Sequence, residues 1–310
     1  MDIQIENLSK SYGYQKAVDD ISFHVHTGEI LGFLGPNGAG KTTVMKMITG
    51  YLGMDAGSIK VGDYDVLEQS ELTKKHIGYL PENNPLYPEM PVIEYLEFSA
   101  GLQNVNSEDI PGRVREMIKV CGLNAEKHKK IGELSKGYQQ RVGLAQAMIH
   151  DPEILILDEP TTGLDPNQIV EIRKLIRDLG KEKTVLLSTH ILPEVEAICD
   201  RILIIHKGKI VADDTSDTLR QKGQGKETIR VKIEDADDPD IVLQALNGLS
   251  SVDDADYATR SKQIFTVQFR PEQSAARDVF SMCVKNNWVI TEMIPKETKL
   301  EDIFRNLTMN

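Results

Sequence analysis

Cysteine is scarce in this 310-residue chain. Cys121, Cys199 and Cys283 are odd in number, far apart, and form no Cys-x-x-Cys pair. That argues against a disulfide framework and a zinc site, and it fits a reducing compartment. An excess of basic residues is also missing. The net charge of −12 disfavours a general nucleic-acid binder, whose footprint would be basic. No apolar run approaches the roughly 20 residues needed to span a bilayer, so any membrane role is expected to come through a partner. The start, Met1 to Glu6, lacks both a basic region and an apolar stretch and does not read as a signal peptide. There are no internal repeats and no low-complexity segments. What remains is ordinary globular material: 40% apolar residues, and a length that suggests two domains.

The chain is organised around Gly35-Pro36-Asn37-Gly38-Ala39-Gly40-Lys41-Thr42-Thr43. Ile30 to Leu34 reads as a buried strand feeding this loop, and Val44, Met47 and Ile48 follow at helical spacing. Strand, glycine loop and helix are the context a phosphate loop requires. Glycines let backbone N–H groups turn inward around an anion, and the helix N-terminus adds partial positive charge. Lys41 can reach the outer phosphates, and the Thr42 hydroxyl can ligate Mg²⁺. The competing reading is a glycine-rich turn, and the later motifs speak against it.

Ile154 to Leu157 is a buried strand that delivers Asp158 and Glu159 at its end. Beside a phosphate loop this pair reads as a Mg²⁺ ligand, Asp158, and a polariser of water, Glu159. Thr184 to Ser188 is another buried strand, and it releases His190 where parallel sheets place their ligands. Ser135 caps a helix continued by Val142, Ala145 and Ile149. A serine and a glycine, Ser135 and Gly137, at such an N-terminus can bind an anion. Asp165 and Pro166 open a further helix as N-cap and first residue. Tyr12, ahead of the loop, is either a base-stacking aromatic or a packed surface tyrosine. His24 and His26 share the polar face of a half-buried strand. The stretch Asn83 to Pro91 carries three prolines and must be irregular, and helices run from Val92 to about His150. After a polar linker at 221–226 the order is strand, helix, strand, strand, helix, strand, which suggests a ferredoxin-like unit over 227–310. Trp288 reads as core, and Leu300 to Phe304 as a terminal helix.

Taken together, the phosphate loop, Leu134-Ser135-Lys136-Gly137-Tyr138, Asp158-Glu159, Gly163-Leu164-Asp165 and His190 resemble the ABC ATPase family over about residues 1–215. The likeness is closest to the ATP-binding subunit of gliding-motility-type exporters and their sodium or multidrug relatives. It is carried by Leu134 to Arg141, by Leu144-Ala145-Gln146-Ala147, and by Lys299 to Phe304. The resemblance implies an α/β phosphate-loop ATPase fold over 1–220: a parallel core sheet, an antiparallel β subdomain and a helical subdomain near 83–150. It implies ATP and Mg²⁺ as bound species and an enzyme that hydrolyses ATP. It implies a head-to-tail dimer of ATPase subunits, a separate transmembrane partner, and a place on the inner face of the bacterial cell membrane. In those terms Tyr12 stacks on adenine and Gly35 to Thr43 hold the phosphates. Ser135 and Gly137 touch ATP held by the other subunit, Glu159 acts on the attacking water, His190 senses the γ-phosphate, and Asp165 couples the two sites.

Two departures stand out. Lys136 and Tyr138 replace the second Gly and the Gln of the common Leu-Ser-Gly-Gly-Gln, while Ser135 and Gly137 remain. Glu82 occupies the place of a glutamine and is predicted to be a Mg²⁺ ligand. The rival readings are a non-transport ATPase of the same family and a low-turnover nucleotide switch.

Overall fold

The computed structural model describes residues 1–223, 228–259, 263–270, 275–295 and 300–308. The chain divides into two units between Ser216 and Asp217, with the residues from Phe304 grouped with the first.

The first unit contains strands β1 Ile3–Tyr12, β2 Gln15–Val25, β3 Ile30–Leu34, β4 Ala56–Val61, β5 Tyr64–Asp65, β6 Ile77–Leu80, β7 Ile154–Asp158, β8 Thr184–Thr189, β9 Arg201–His206 and β10 Lys209–Asp214. Six of them form one sheet in the order β10-β9-β3-β8-β7-β6. Every neighbouring pair from β9 to β6 is parallel, and β10 closes the edge as an antiparallel hairpin with β9. All residues of β3, β7 and β8 are buried, as expected of parallel strands covered on both faces. The period of two sorts their side chains. Leu31, Phe33, Ile154 and Ile156 pack with the loop helix and the antiparallel strands, while Ile30, Leu155, Leu157 and Val185 pack with helices on the other face.

A second sheet, β2-β1-β4-β5, is antiparallel. Between β6 and β7 lie helices Val92–Leu102, Ile110–Val120 and Lys136–Met148, a helical layer between two neighbouring strands of one sheet. The loop helix, Lys41–Ile48, starts directly from Gly40, whose φ of 112° suits glycine. A Cβ there would sit 2.4 Å from the Ala17 carbonyl oxygen, so no other residue fits without moving β2. Cys121, Cys199 and Cys283 are free thiols.

The second unit has β11 Thr228–Glu234, β12 Val252–Thr259, β13 Ile264–Phe269 and β14 Val289–Pro295 in the order β12-β13-β11-β14, with every neighbouring pair antiparallel. Helices Pro239–Asn247 and Ala275–Lys285 follow β11 and β13. Val242, Leu246, Val279 and Met282 pack on alternate residues Ile229, Val231 and Ile233, so both helices cover one face. Trp288 is partly buried against the same core.

Helix Ser216–Gly223 enters the segment expected to be a linker, because a polar run with one terminal glycine closes a helix as readily as it forms a tether. Residues 224–226 of that linker, residue 227 and Lys299 lie outside the described residues.

Candidate functional site

The phosphate loop leaves the C-terminal end of β3 and is fastened at both ends. Gly35 N–H donates to the Thr189 carbonyl at 3.3 Å, and Gly208 N–H donates to the Ala39 carbonyl at 3.0 Å. Val44 N–H is the first to find an acceptor, Gly40 O at 3.0 Å, in the helix that follows. The helical N–H groups before it have no intrahelical acceptor, an arrangement that can receive an anion. Lys41 is buried. Its Nζ donates to Gly35 O at 2.8 Å and Pro36 O at 3.3 Å and stands 3.3 Å from Glu159 Oε1. The ammonium is therefore folded back over the mouth of its own loop.

Asp158 ends β7 and is fully buried. The Ser188 hydroxyl, one strand over, donates to its Oδ1, while Oδ2 has no hydrogen-bond partner. Burial pushes the Asp158 carboxyl up. Hydrogen bonds from Ser188 and Thr42 pull it down, the Glu159 charge raises it further, and Lys41 opposes that. Glu159 follows with φ of +50°, an unusual conformation for a residue with a side chain and one that concentrates at functional sites. Ser188 pins this turn, because both its carbonyl and its hydroxyl accept from Glu159 N–H at 3.1 Å. Glu159 Oε2 lies 2.8 Å from His190 Nδ1 and 3.4 Å from the Thr162 hydroxyl, which donates to it. His190 itself is exposed. The structure thus brings Lys41, Thr42, Asp158, Glu159 and His190 together at the C-terminal ends of three adjacent strands.

The orphaned Oδ2 of Asp158, with the Thr42 hydroxyl beside it, suits a hard divalent cation such as Mg²⁺, which favours charged and hydroxyl oxygens. Leu80 pairs with Leu157 in register, so Glu82 leaves β6 one position beyond the level of Asp158 on β7. It is exposed there, and the charges of Asp158 and Glu82 both add to the burial that raises the Tyr79 phenol. A carboxylate at this place can accept but not donate when ionised. Glu82→Gln is accordingly expected to raise the Mg²⁺ concentration for half-maximal hydrolysis while leaving turnover at saturating metal. An unchanged metal requirement in a Mg²⁺ titration would remove Glu82 from the metal's surroundings.

The remaining residues lie apart from this cluster. Ser135 is the N-cap of Lys136–Met148, its hydroxyl accepting from Tyr138 N–H at 3.5 Å. Gly137 is buried, and a Cβ on it would be 2.6 Å from the Gln168 amide carbon. Asp165 caps Pro166–Leu179, its Oδ1 accepting from Asn167 N–H at 3.0 Å and Gln168 N–H at 2.9 Å. Gln168 thus touches Gly137 while completing the Asp165 cap. Tyr12 is exposed at the end of β1 and pairs with Gln15, at the hairpin whose second strand passes the loop at Ala17. His24 is engaged by Asp2 at 2.7 Å and stacks edge-on with His26. Among the described residues no cluster of three or more His, Cys, Asp or Glu suited to a metal ion occurs.

Sequence reading missed Ser188, Thr189 and Glu194. The first two looked like filler in an apolar strand. The third lies in a short helix, Leu192–Ile198, hidden by Pro193.

Residues 18–162 match the family model described as ABC transporter. The chain is 34% identical over 305 residues to the uncharacterized ABC transporter ATP-binding protein YxlF of Bacillus subtilis (strain 168), covering 97% of this chain and 98% of that one. It is 32% identical over 307 residues to the bacitracin transport ATP-binding protein BcrA of Bacillus licheniformis, covering 98% and 96%. Among solved structures it resembles a dimeric bacterial ABC transporter cassette with a TM-score of 0.63 and 25% identity, over 69% of this chain and 98% of the other.

Proposed function

The chain belongs to the ABC transporter family as an ATP-binding, ATP-hydrolysing protein, and from that membership we propose that it powers an exporter of the gliding-motility type. In this reading two ATPase subunits close head to tail around ATP and drive a separate membrane subunit. The observation that carries it is the convergence of Lys41, Asp158, Glu159 and His190 at one end of the sheet. Near-full-length likeness to a bacitracin transport ATP-binding protein supports a role in transport.

Lys41 and the loop N–H groups bind the β- and γ-phosphates. Glu159 accepts the proton of the attacking water, and His190, held on Glu159 Oε2, lies beside the γ-phosphate. Thr42, Asp158 and Glu82 would hold Mg²⁺, which supplies charge neutralisation when bound. Tyr12 offers its ring to adenine. One loop covers one side of the γ-phosphate, and efficient transfer needs donors on the other side. Ser135 and Gly137 of the second subunit fill that need, with Asp165 linking the two sites.

The ATPase domain spans residues 1–220, with the helical subdomain at about 83–150 as the surface for the membrane partner. A cleft of about 200 Å³ there is lined by Pro85, Tyr87, Tyr95, Phe98 and Leu102 together with the polar Ser99, Gln103 and Gln146. The 227–310 domain is ferredoxin-like, a reading supported by its antiparallel strand order and two helices on one face. It regulates or assembles rather than catalyses. Among the described residues no helix is long and apolar enough to cross a membrane, so the place at the inner face of the cell membrane comes through the partner.

The test is the dimer. Glu159→Gln mixed with Mg²⁺ and ATP is expected to double its mass by light scattering, and adding Ser135→Arg is expected to keep it monomeric. Equal dimer in both proteins would remove Ser135 from the interface.

A further inference from the structure

Beyond the residues that face the nucleotide, one buried carboxylate ties the site together. Glu194 is 1% exposed, although it lies in a helix of only seven residues. The Thr161 hydroxyl donates to its Oε1, and the Thr189 hydroxyl donates to its Oε2 at 2.7 Å. Arg173 Nη2 is 3.7 Å from Oε1. A carboxylate buried this deeply is costly unless its lone pairs are filled. Here they are filled by two hydroxyls, one from the turn after β7 and one from the last residue of β8, and faced by a cation from a helix.

Those segments are the ones that carry the chemistry. Thr161 lies two residues past Glu159, and Thr189 immediately precedes His190. The Thr189 hydroxyl also accepts from Ile191 N–H at 3.0 Å, and its carbonyl accepts from Gly35 N–H at 3.3 Å. Arg173 belongs to Pro166–Leu179, the helix capped by Asp165. We propose that Glu194 is a positioning residue that holds the Glu159 turn, the His190 turn and the first residue of the phosphate loop in one arrangement. It touches no phosphate; it acts through Thr161 and Thr189. The proposal rests on the reading of Glu159 and His190 as the hydrolytic pair.

The chemistry calls for a carboxylate. A glutamine offers one acceptor oxygen and one donor nitrogen, so it cannot receive both hydroxyls as Glu194 does. Glu194→Gln therefore has to turn one threonine hydroxyl away or reverse it. A shift of about 1 Å in such a site can cost on the order of 100-fold in rate.

The experiment measures kcat, ATP affinity by calorimetry and melting temperature on the full chain. Glu194→Gln and Thr189→Val are expected to lower kcat about 10- to 100-fold with ATP affinity nearly unchanged. Thr189→Ser, which restores the hydroxyl, recovers most of the loss. Because residues acting as a unit are not additive, Glu194→Gln placed on His190→Ala should slow that variant less than it slows the parent chain. Losses that multiply in the double variant, or that arrive with an equal loss of ATP binding, would make Glu194 a support of the fold alone and overturn the proposal. Should Glu194→Gln fail to fold, the Thr189→Val and Thr189→Ser pair decides by the same criteria. If Glu159→Gln is inactive while Glu194→Gln and Thr189→Val turn over like the parent chain, only the positioning role falls. If Glu159→Gln itself turns over normally, the hydrolytic reading falls and this proposal with it.

Discussion

Glu159→Gln is expected to bind ATP at least as tightly as the parent chain and to lose nearly all turnover. The substitution is isosteric, and the oxygen that remains can still serve His190 Nδ1 or the Thr162 hydroxyl, so the turn should hold its shape. What disappears is the group able to take a proton from water, and a positioned base contributes about 10²- to 10⁴-fold. One negative charge also leaves the surroundings of the phosphates, and Lys41 Nζ loses the carboxylate 3.3 Å away that competes for it. Both changes favour bound ATP. Phosphate release measured beside nucleotide affinity checks the prediction, and turnover within a few-fold of the parent chain would remove Glu159 from the chemistry.

Lys41→Ala is expected to weaken ATP binding about 10²- to 10³-fold, the usual consequence of removing one member of a buried charge pair. The ammonium belongs to the loop itself, and its Nζ donates to the carbonyls of Gly35 and Pro36. Without it those carbonyls lose a donor and Glu159 loses its ion-pair partner in a buried place. Affinity by calorimetry, with melting temperature alongside, separates the two consequences. Unchanged affinity in a folded protein would show that the loop does not hold the triphosphate.

The parallel sheet was legible because strands buried on both faces must be apolar throughout. Ile30 to Leu34, Ile154 to Leu157 and Val185 to Leu187 satisfy that in sequence as in space. The loop and the two acids were legible because their residue types are demanded by the chemistry at fixed positions on such strands. The helix caps were legible at Ser135 and Asp165, since a cap is a local hydrogen bond. Glu194 was not. In Ile191-Leu192-Pro193-Glu194 it looks like an acid on a solvated turn. Its burial is decided by Thr161, Thr189 and Arg173, residues 33, 5 and 21 positions away in the chain. Ser188 was hidden for a similar reason: a hydroxyl in an apolar run declares nothing until Asp158 stands beside it. The contact of Gln168 with Gly137 likewise exists only once two helices have packed.

If ATP is held by the Lys41 loop and hydrolysed through Glu159 between two copies of the site, loss of the Glu159 carboxylate should trap ATP in a dimer. The measurement that tests it most directly is the identity and stoichiometry of nucleotide trapped by Glu159→Gln. The variant is mixed with Mg²⁺ and ATP, the ATP-dependent species is isolated by size, and its nucleotide is extracted and quantified against protein. The expected species is a dimer carrying one intact ATP per chain. ADP in the trapped species, or ATP at full occupancy on particles of a single chain, would contradict it.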